Sequence, residues 1–423
     1  MRTLRRFASA QPHGDKESPA HAPVLLSRPR YRISIDVPLF LLIALAIRVI
    51  LLPLTEGWDF NSFAHEAALT LRGYNVYALD RSVFRLPWTY LPLCLRLFTA
   101  LQGLAGVTGW PFRVLGKLPI VAADLCIGYL IFTALRRRGE REPSAVLGMA
   151  LYLFNPLVLL NGALLGRFDA IALALLLLSL EWYTTPFFAP LYGLAIAAKT
   201  FPIFMLPLLL LGRDRQRPWR VALALLFVPL LSLPYIVTTP RGLFRYLFYD
   251  VGSPWLGRLS WYYLVPTGNA GTAALAVGRV GTLLFPLALL LVARRPLYVK
   301  AACTFVLFVA LNRVVYEQYL VWSLPFLIVV ALRHRSWLAW WLIALYTVAG
   351  MLENEQTWSP LDARFHYGLL PTPWPPFNGL LAVSALLFVT AQALHRRSWP
   401  PRVRRESNVE DSAHPPCSLA TSG

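Results

Sequence analysis

Long apolar runs separated by short polar breaks fill most of the 423 residues, and the runs predict helices near 38–55, 88–105, 114–135, 144–165, 169–184, 187–198, 201–211, 220–238, 272–293, 298–312, 319–332, 336–352 and 377–394. Several are shorter than the ~20 residues an upright membrane span needs, so the pairs meeting at Pro186 and Thr200 read as short or broken helices. The fold class this predicts is all-α, a polytopic integral membrane protein with its transmembrane domain over 38–395 and no internal repeat. Residues 1–37 are polar and Arg-rich, and the apolar run that follows lacks a small-residue cleavage site, the pattern of an uncleaved anchor. Residues 396–423 are charged and rich in Pro and Ser, too poor in apolar side chains to fold alone. Both ends read as disordered cytoplasmic tails.

A polar island, Glu56 to Glu66, follows the first apolar run, with Asp59 at its centre. Beyond it Phe60, Phe63, Ala64, Ala67 and Leu71 make one apolar helical stripe that stops before Gly73, predicting a helix lying flat on the bilayer surface. Asp59 at the start of such a helix reads either as an N-cap or as an acid able to meet a lipid-borne phosphate and a polar acceptor.

Orientation follows from the arginines. Arg136–Arg138 with Arg141, Arg213/Arg215/Arg217/Arg220, Arg294–Arg295, Arg333/Arg335 and Arg396–Arg397 all fall on the cytoplasmic side only if 88–105 does not cross. That leaves about twelve spans, both termini cytoplasmic, and a first outer loop over 56–113 containing a second interfacial helix, Trp88–Leu104. Outer breaks then carry Asp59, Glu66, Asp80 and Arg85, Gly166-Arg167-Phe168-Asp169, Lys199-Thr200, Asn312-Arg313 and Glu317-Gln318. Asp169 could merely cap a helix, and Lys199 and Arg313 could merely snorkel. Arg48, Lys117 and Asp124 lie deeper, where an unpaired charge costs at least ~2.5 kcal/mol, so pairing inside the bundle is expected for them.

Composition sharpens the class. Hydrophobic residues make up 57%, charged ones 14%, and mean hydropathy is +0.53, which excludes a soluble globular protein. The net charge of +19 sits in short clusters between apolar runs and not on a polar basic face, so it argues against nucleic acid as a partner. Cys94, Cys126, Cys303 and Cys417 show no metal-ligand spacing and predict neither disulfide nor structural metal.

Taken in order, Trp58-Asp59-Phe60, Thr89-Tyr90-Leu91-Pro92-Leu93, Gly116-Lys117 with Asp124-Leu125, Asn155-Pro156, Gly166-Arg167-Phe168-Asp169, Ala198-Lys199-Thr200-Phe201-Pro202 and Asn312-Arg313 followed by Gln318-Tyr319-Leu320-Val321-Trp322 are distinctive in combination. The chain resembles the GT-C superfamily of membrane glycosyltransferases, within it the GPI mannosyltransferase I family and its bacterial polyprenol-phosphate-mannose-dependent relatives, over about residues 40–330. The resemblance implies an inverting transfer of a sugar, mannose in that family, from a polyprenyl-phosphate donor to a lipid or glycan acceptor at the outer face of a bacterial inner membrane. It puts Asp59 at the catalytic position as base, where the family often has two acids separated by one residue; here Gly57 replaces the first, which leaves a divalent metal doubtful and no organic cofactor required. Arg313 and Lys199, with Arg167 in reserve, are the expected donor-phosphate ligands. Asp169, Gln318 and Tyr90 are expected to position substrate. Glu317 stands where the family carries a smaller residue. Intramembrane charges and broken helices would also suit a secondary transporter or lipid-linked sugar flippase, but the asymmetric acidic first loop and the lack of a repeat favour the enzyme. A non-catalytic scaffold retaining the fold is a third reading that the missing first acid keeps open.

Overall fold

The computed structural model describes residues 36–79, 83, 88–211, 216, 218–247, 257, 259–264, 270–353 and 375–395. Nearly all of both tails, together with Asp80, Arg85, Arg213, Arg215, Arg217, Trp255, Cys417 and residues 354–374, lies outside them. Among the described residues every regular element is helical: α1 Asp36–Leu51, α2 Trp58–Leu71, α3 Pro92–Thr108, α4 Phe112–Leu115, α5 Leu118–Arg137, α6 Glu142–Leu153, α7 Pro156–Leu159, a π-turn Leu160–Leu164, α8 Asp169–Glu181 and α9 Phe188–Ala198. A 3-10 turn Phe201–Met205 leads to α10 Leu206–Leu210, α11 Pro218–Thr238 and α12 Pro240–Leu247, and a second, Trp261–Leu264, to α13 Ala270–Leu290. The chain continues with α14 Leu297–Leu311, α15 Glu317–Val321, α16 Leu324–His334, α17 Trp337–Glu353 and α18 Pro375–Leu394.

Three of these segments, Phe112–Arg137, Pro218–Thr238 and Pro376–Leu394, are long and apolar enough to cross a bilayer. Glu142–Leu153 and Pro156–Leu164, bent by 46°, together make a fourth, broken one. The break has a local cause: Pro156 cannot donate to the preceding turn, and the Asn155 side chain accepts from the Leu157 N–H to restart the helix. The breaks expected at Pro186 and Thr200 are present, between α8 and α9 and between α9 and the 3-10 turn.

At twenty residues, α5 is about 30 Å long. Its far end carries Arg137 and Arg138, which pair with Glu181 at the end of α8 (2.8 and 3.0 Å). Arg333 pairs there with Glu140 at 2.9 Å, and Arg220 donates to the Thr184 carbonyl. Among the described residues, Arg137, Arg138, Arg220 and Arg333 thus share one end of the bundle. Deep in the bundle Arg48 meets Asp124 at 3.4 Å, and Tyr152 donates to the same carboxylate at 3.1 Å, the pairing expected of charges in an apolar core. Among the described residues Lys117 makes no ion pair. Its ammonium donates to the carbonyls of Leu52, Thr55 and Leu164, clamping the chain after α1 onto the π-turn.

Two expectations for the first loop are corrected. The second helix begins at Pro92 and not at Trp88; Leu91 is extended, and Pro at the first helical position needs no N–H partner. Most of the apolar stripe of α2 faces protein, since Phe60, Phe63 and Ala67 are buried and Ala64 half-buried, while Leu71 at its end is exposed. Phe60 stacks on Phe112 and Phe63 on Phe98, with Trp88, Tyr90 and Phe168 closing the cluster. Such pairs contribute about 0.5–1.5 kcal/mol each beyond the area they bury, which fixes α2 against α3 and the chain before α8.

Candidate functional site

The polar residues singled out in the sequence lie where helices stop. Gly57 is the N-cap of α2, and its N–H donates to the Leu165 carbonyl at 3.1 Å, so the start of α2 is pinned to the end of the π-turn. Asp59 therefore falls inside the first helical turn and makes no capping bond, which overturns the capping reading. Its carboxylate is 25% exposed and lies 3.8 Å from the Arg167 guanidinium. Arg167, 9% exposed, makes its close ion pair with Glu317 at 2.6 Å.

The π-turn aims Arg167. Leu165 N–H reaches back to the Leu160 carbonyl and Arg167 N–H to that of Asn161, while Gly166 turns the chain at φ +71°. A Cβ at Gly166 would run into the Phe60 ring, so both the left-handed backbone and the close approach demand glycine. Gly166→Ala is expected to displace Phe60 and lower the thermal transition in detergent by the equivalent of about 1–3 kcal/mol. A transition at the wild-type temperature would show that the break yields freely.

Phe168 precedes α8, and Asp169 at its first position is buried and makes no cap. One carboxylate oxygen accepts from Lys199 Nζ at 2.7 Å and the other from Trp322 Nε1 at 2.6 Å. Lys199, where α9 gives way to extended chain, does not snorkel; it is 6% exposed, with Nζ 4.9 Å from the ring centres of both Tyr90 and Phe168. Tyr90 is held from behind by the Tyr77 hydroxyl, which donates to its carbonyl at 2.7 Å. Because Arg167 and Asp169 flank Phe168, the Asp59–Arg167–Glu317 and Tyr90–Lys199–Asp169–Trp322 groups are neighbours across one break.

Arg313 and Gln318 sit on either side of the break between α14 and α15 and are both buried. The Arg313 stem packs on Gly278, where a Cβ would come within 2.7 Å of its Cδ, and Asn312 turns the chain by donating to the Val314 carbonyl. Gln318 follows Glu317 in the first turn of α15 and is buried with it. Two partners went unrecognised in the sequence. Glu317 was visible as an acid at an outer break and an unusual residue at a family position, and Trp322 as the end of a motif, but neither was given a partner.

Glu66 lies two turns beyond Asp59 on α2, about 10 Å along the helix, and is 1% exposed. Neither carboxyl oxygen has a hydrogen-bond partner among the described residues. Burial, and secondarily the charge of Asp59, push its pKa well above the usual glutamate range. The folded chain thus holds a proton here to a higher pH than the unfolded chain does. Stability should rise as pH falls from the raised folded pKa toward the ordinary glutamate value, then level off. Glu66→Gln should flatten that part of the curve when the detergent thermal transition is followed against pH; an unchanged slope would place the proton elsewhere. Of the acids on α2, Asp59 is the one an incoming molecule can reach.

Among the described residues no group of three or more His, Cys, Asp or Glu side chains is placed to hold a metal ion. Asp59 and Glu317 both face Arg167 already, and a dication between them would compete with that guanidinium.

No known family profile matches the sequence. Over 164 residues, 38% of this chain and 35% of the relative, it is 29% identical to GPI mannosyltransferase 1 of Gibberella zeae, so the match spans about a third of that protein's length. The similarity is thus partial, and it falls on a chain whose described helices include three long and apolar enough to cross a membrane.

Proposed function

We propose that the chain moves mannose from a polyprenyl-phosphate donor to a lipid or glycan acceptor, with inversion, at the outer membrane-water interface. In this reading it is a GT-C enzyme of about twelve spans with both termini cytoplasmic in a bacterial inner membrane, and the arginine-rich end of the bundle faces inward. The observation that supports it is a reachable carboxylate, Asp59, beside the buried cation Arg167 at a helix break, two residues along the chain from Asp169 and the buried Lys199 it pairs with.

The acceptor hydroxyl oxygen attacks the anomeric carbon, the bond from that carbon to the phosphate oxygen breaks, and the hydroxyl proton passes to Asp59. Polyprenyl phosphate leaves with one more unit of negative charge, so fixed positive groups beside it lower the barrier. Lys199 and Arg167 each already face a carboxylate. That arrangement holds their side chains in place before substrate arrives and leaves their net contribution small unless the phosphate displaces or shares a partner. Arg313 and Lys199, with Arg167 in reserve, are the cations proposed to face the departing phosphate. Tyr90 orients Lys199 through its ring, and Asp169 and Gln318 position their neighbours. No organic cofactor enters this chemistry, because the donor is already an activated phosphodiester.

Membranes containing the protein, supplied with polyprenyl-phosphate mannose labelled in the sugar, should release free polyprenyl phosphate and label an acceptor. A flippase would move the donor intact and a scaffold would leave it untouched. Arg313→Gln should cut turnover on the order of a hundredfold, and Arg313→Lys should recover only part because an ammonium cannot grip two phosphate oxygens in one plane. Normal turnover by Arg313→Gln would remove Arg313 from the donor site.

A further inference from the structure

Beside the site, the chain after α2 and the start of α12 enclose a cavity of about 450 Å³, lined by Tyr77, Leu79, Thr238, Arg241 and Arg245 among others. Its walls are fixed to each other. The Asn75 side-chain amide donates to the Thr239 hydroxyl at 3.0 Å, and α12 lies so close that a Cβ at Gly242 would collide with the Tyr77 carbonyl oxygen. Through the Tyr77 hydroxyl on the Tyr90 carbonyl, the same wall reaches the residue whose ring faces Lys199.

Arg241 and Arg245 stand one turn apart on α12, and both are exposed. Among the described residues no ion pair or hydrogen bond engages either guanidinium. Two guanidiniums at this spacing on the rim of a cavity of mixed lining match the non-bridging oxygens of a phosphate diester, and two forks offer more donors than a single carboxylate could use. The surroundings say what carries that phosphate. On α11, which ends at the cavity, Leu223, Leu226, Leu230, Leu233 and Val237 recur at helical spacing and are 39%, 58%, 59%, 50% and 71% exposed. That stripe runs the length of a helix fit to cross a bilayer and stops at the two arginines, so a molecule with acyl chains along it would place its headgroup in the cavity. Phe244, 50% exposed on α12 beside Arg245, adds an aromatic at the level where headgroups begin.

We propose that this cavity binds the phosphate of an anionic phospholipid, with Arg241 and Arg245 as its ligands and the apolar stripe of α11 as the track for its acyl chains. The site is separate from the one assigned to the donor phosphate, and it places a lipid headgroup next to the Tyr90 wall of the transfer site. The proposal does not depend on the transferase reading, and its test involves no transfer.

The test uses the full chain in nanodiscs of phosphatidylcholine containing a phosphatidylglycerol with a photoactivatable group near the glycerol phosphate. Crosslinks should map to peptides covering 74–79 and 237–247. Unlabelled phosphatidylglycerol should compete, while phosphatidylcholine and free glycerol phosphate should not. Arg241→Gln with Arg245→Gln should weaken that competition by about tenfold or more, the scale of lost hydrogen bonds to a charged group, with an unchanged thermal transition because both side chains are exposed. Crosslinking that persists in the double variant, or maps elsewhere, would overturn the assignment. Equal competition by glycerol phosphate would make this a site for a soluble phosphate and overturn the lipid. Gly242→Ala, which pushes α12 from Tyr77, should reduce crosslinking with both arginines intact, and a full signal from it would mean that the cavity walls play no part.

Discussion

Asp59→Asn protein should fold as the wild type does and lose donor turnover by about 10²–10⁴-fold, the range for removing a general base. Asparagine keeps the shape of the side chain but cannot take the acceptor's proton. The structure makes this test cleaner than the sequence alone allowed, because the cap of α2 is Gly57 and Asp59 makes no capping bond. Asp59→Ala should therefore lose the favourable placement of an anion in the first helical turn, about 0.3–1 kcal/mol, together with its 3.8 Å approach to Arg167, and not a cap. Asp59→Glu should also be badly impaired, since it moves the carboxylate by one methylene relative to a guanidinium 3.8 Å away. The measurement is release of polyprenyl phosphate by protein whose thermal transition in detergent is normal. Wild-type release by Asp59→Asn would remove it as base and leave Glu56 as the nearest other acid at the start of α2, because Glu66 is buried and Asp169 has both oxygens engaged.

Lys199→Met should be destabilised by about 3–5 kcal/mol, the cost of leaving one member of a buried ion pair behind. The abandoned group is Asp169, 3% exposed, which would keep only Trp322 as a donor. Reduced expression of this variant is thus expected, unlike that of a cation merely reaching for the interface. Lys199→Met combined with Asp169→Asn should recover most of the stability, because the lone charge is gone and the amide oxygen still accepts from Trp322. Together with Asp169→Asn alone, these variants separate two roles of one lysine. If the recovered double variant is inactive while Asp169→Asn alone turns over, Lys199 acts on the donor; if the double variant turns over normally, Lys199 serves only to hold Asp169. A single Lys199→Met variant as stable as wild type would contradict the ion pair itself.

The sequence by itself determined the class of protein, the places where helices run and break, and the gathering of arginines in particular loops. Those features are local: an apolar run of some twenty residues, a proline or a glycine acts through the backbone nearby, and each is visible without knowing what packs where. The sites of chemistry were also legible as candidates, because polar residues at helix breaks in an apolar chain are few. What only the tertiary structure decided was how they pair. Asp169 meets Lys199 and Trp322, and Arg167 meets Glu317, between elements far apart in the chain, so nothing in the spacing of the motifs could match them. The direction of the α2 stripe was likewise a tertiary matter. Phe60 and Phe63 satisfy a lipid-facing and a protein-facing pattern equally well, and it is the Phe98, Phe112 and Phe168 rings arriving from α3, α4 and the start of α8 that bury them. That burial carries Glu66 out of water and leaves Asp59, one side chain away from Arg167, as the acid that remains in reach.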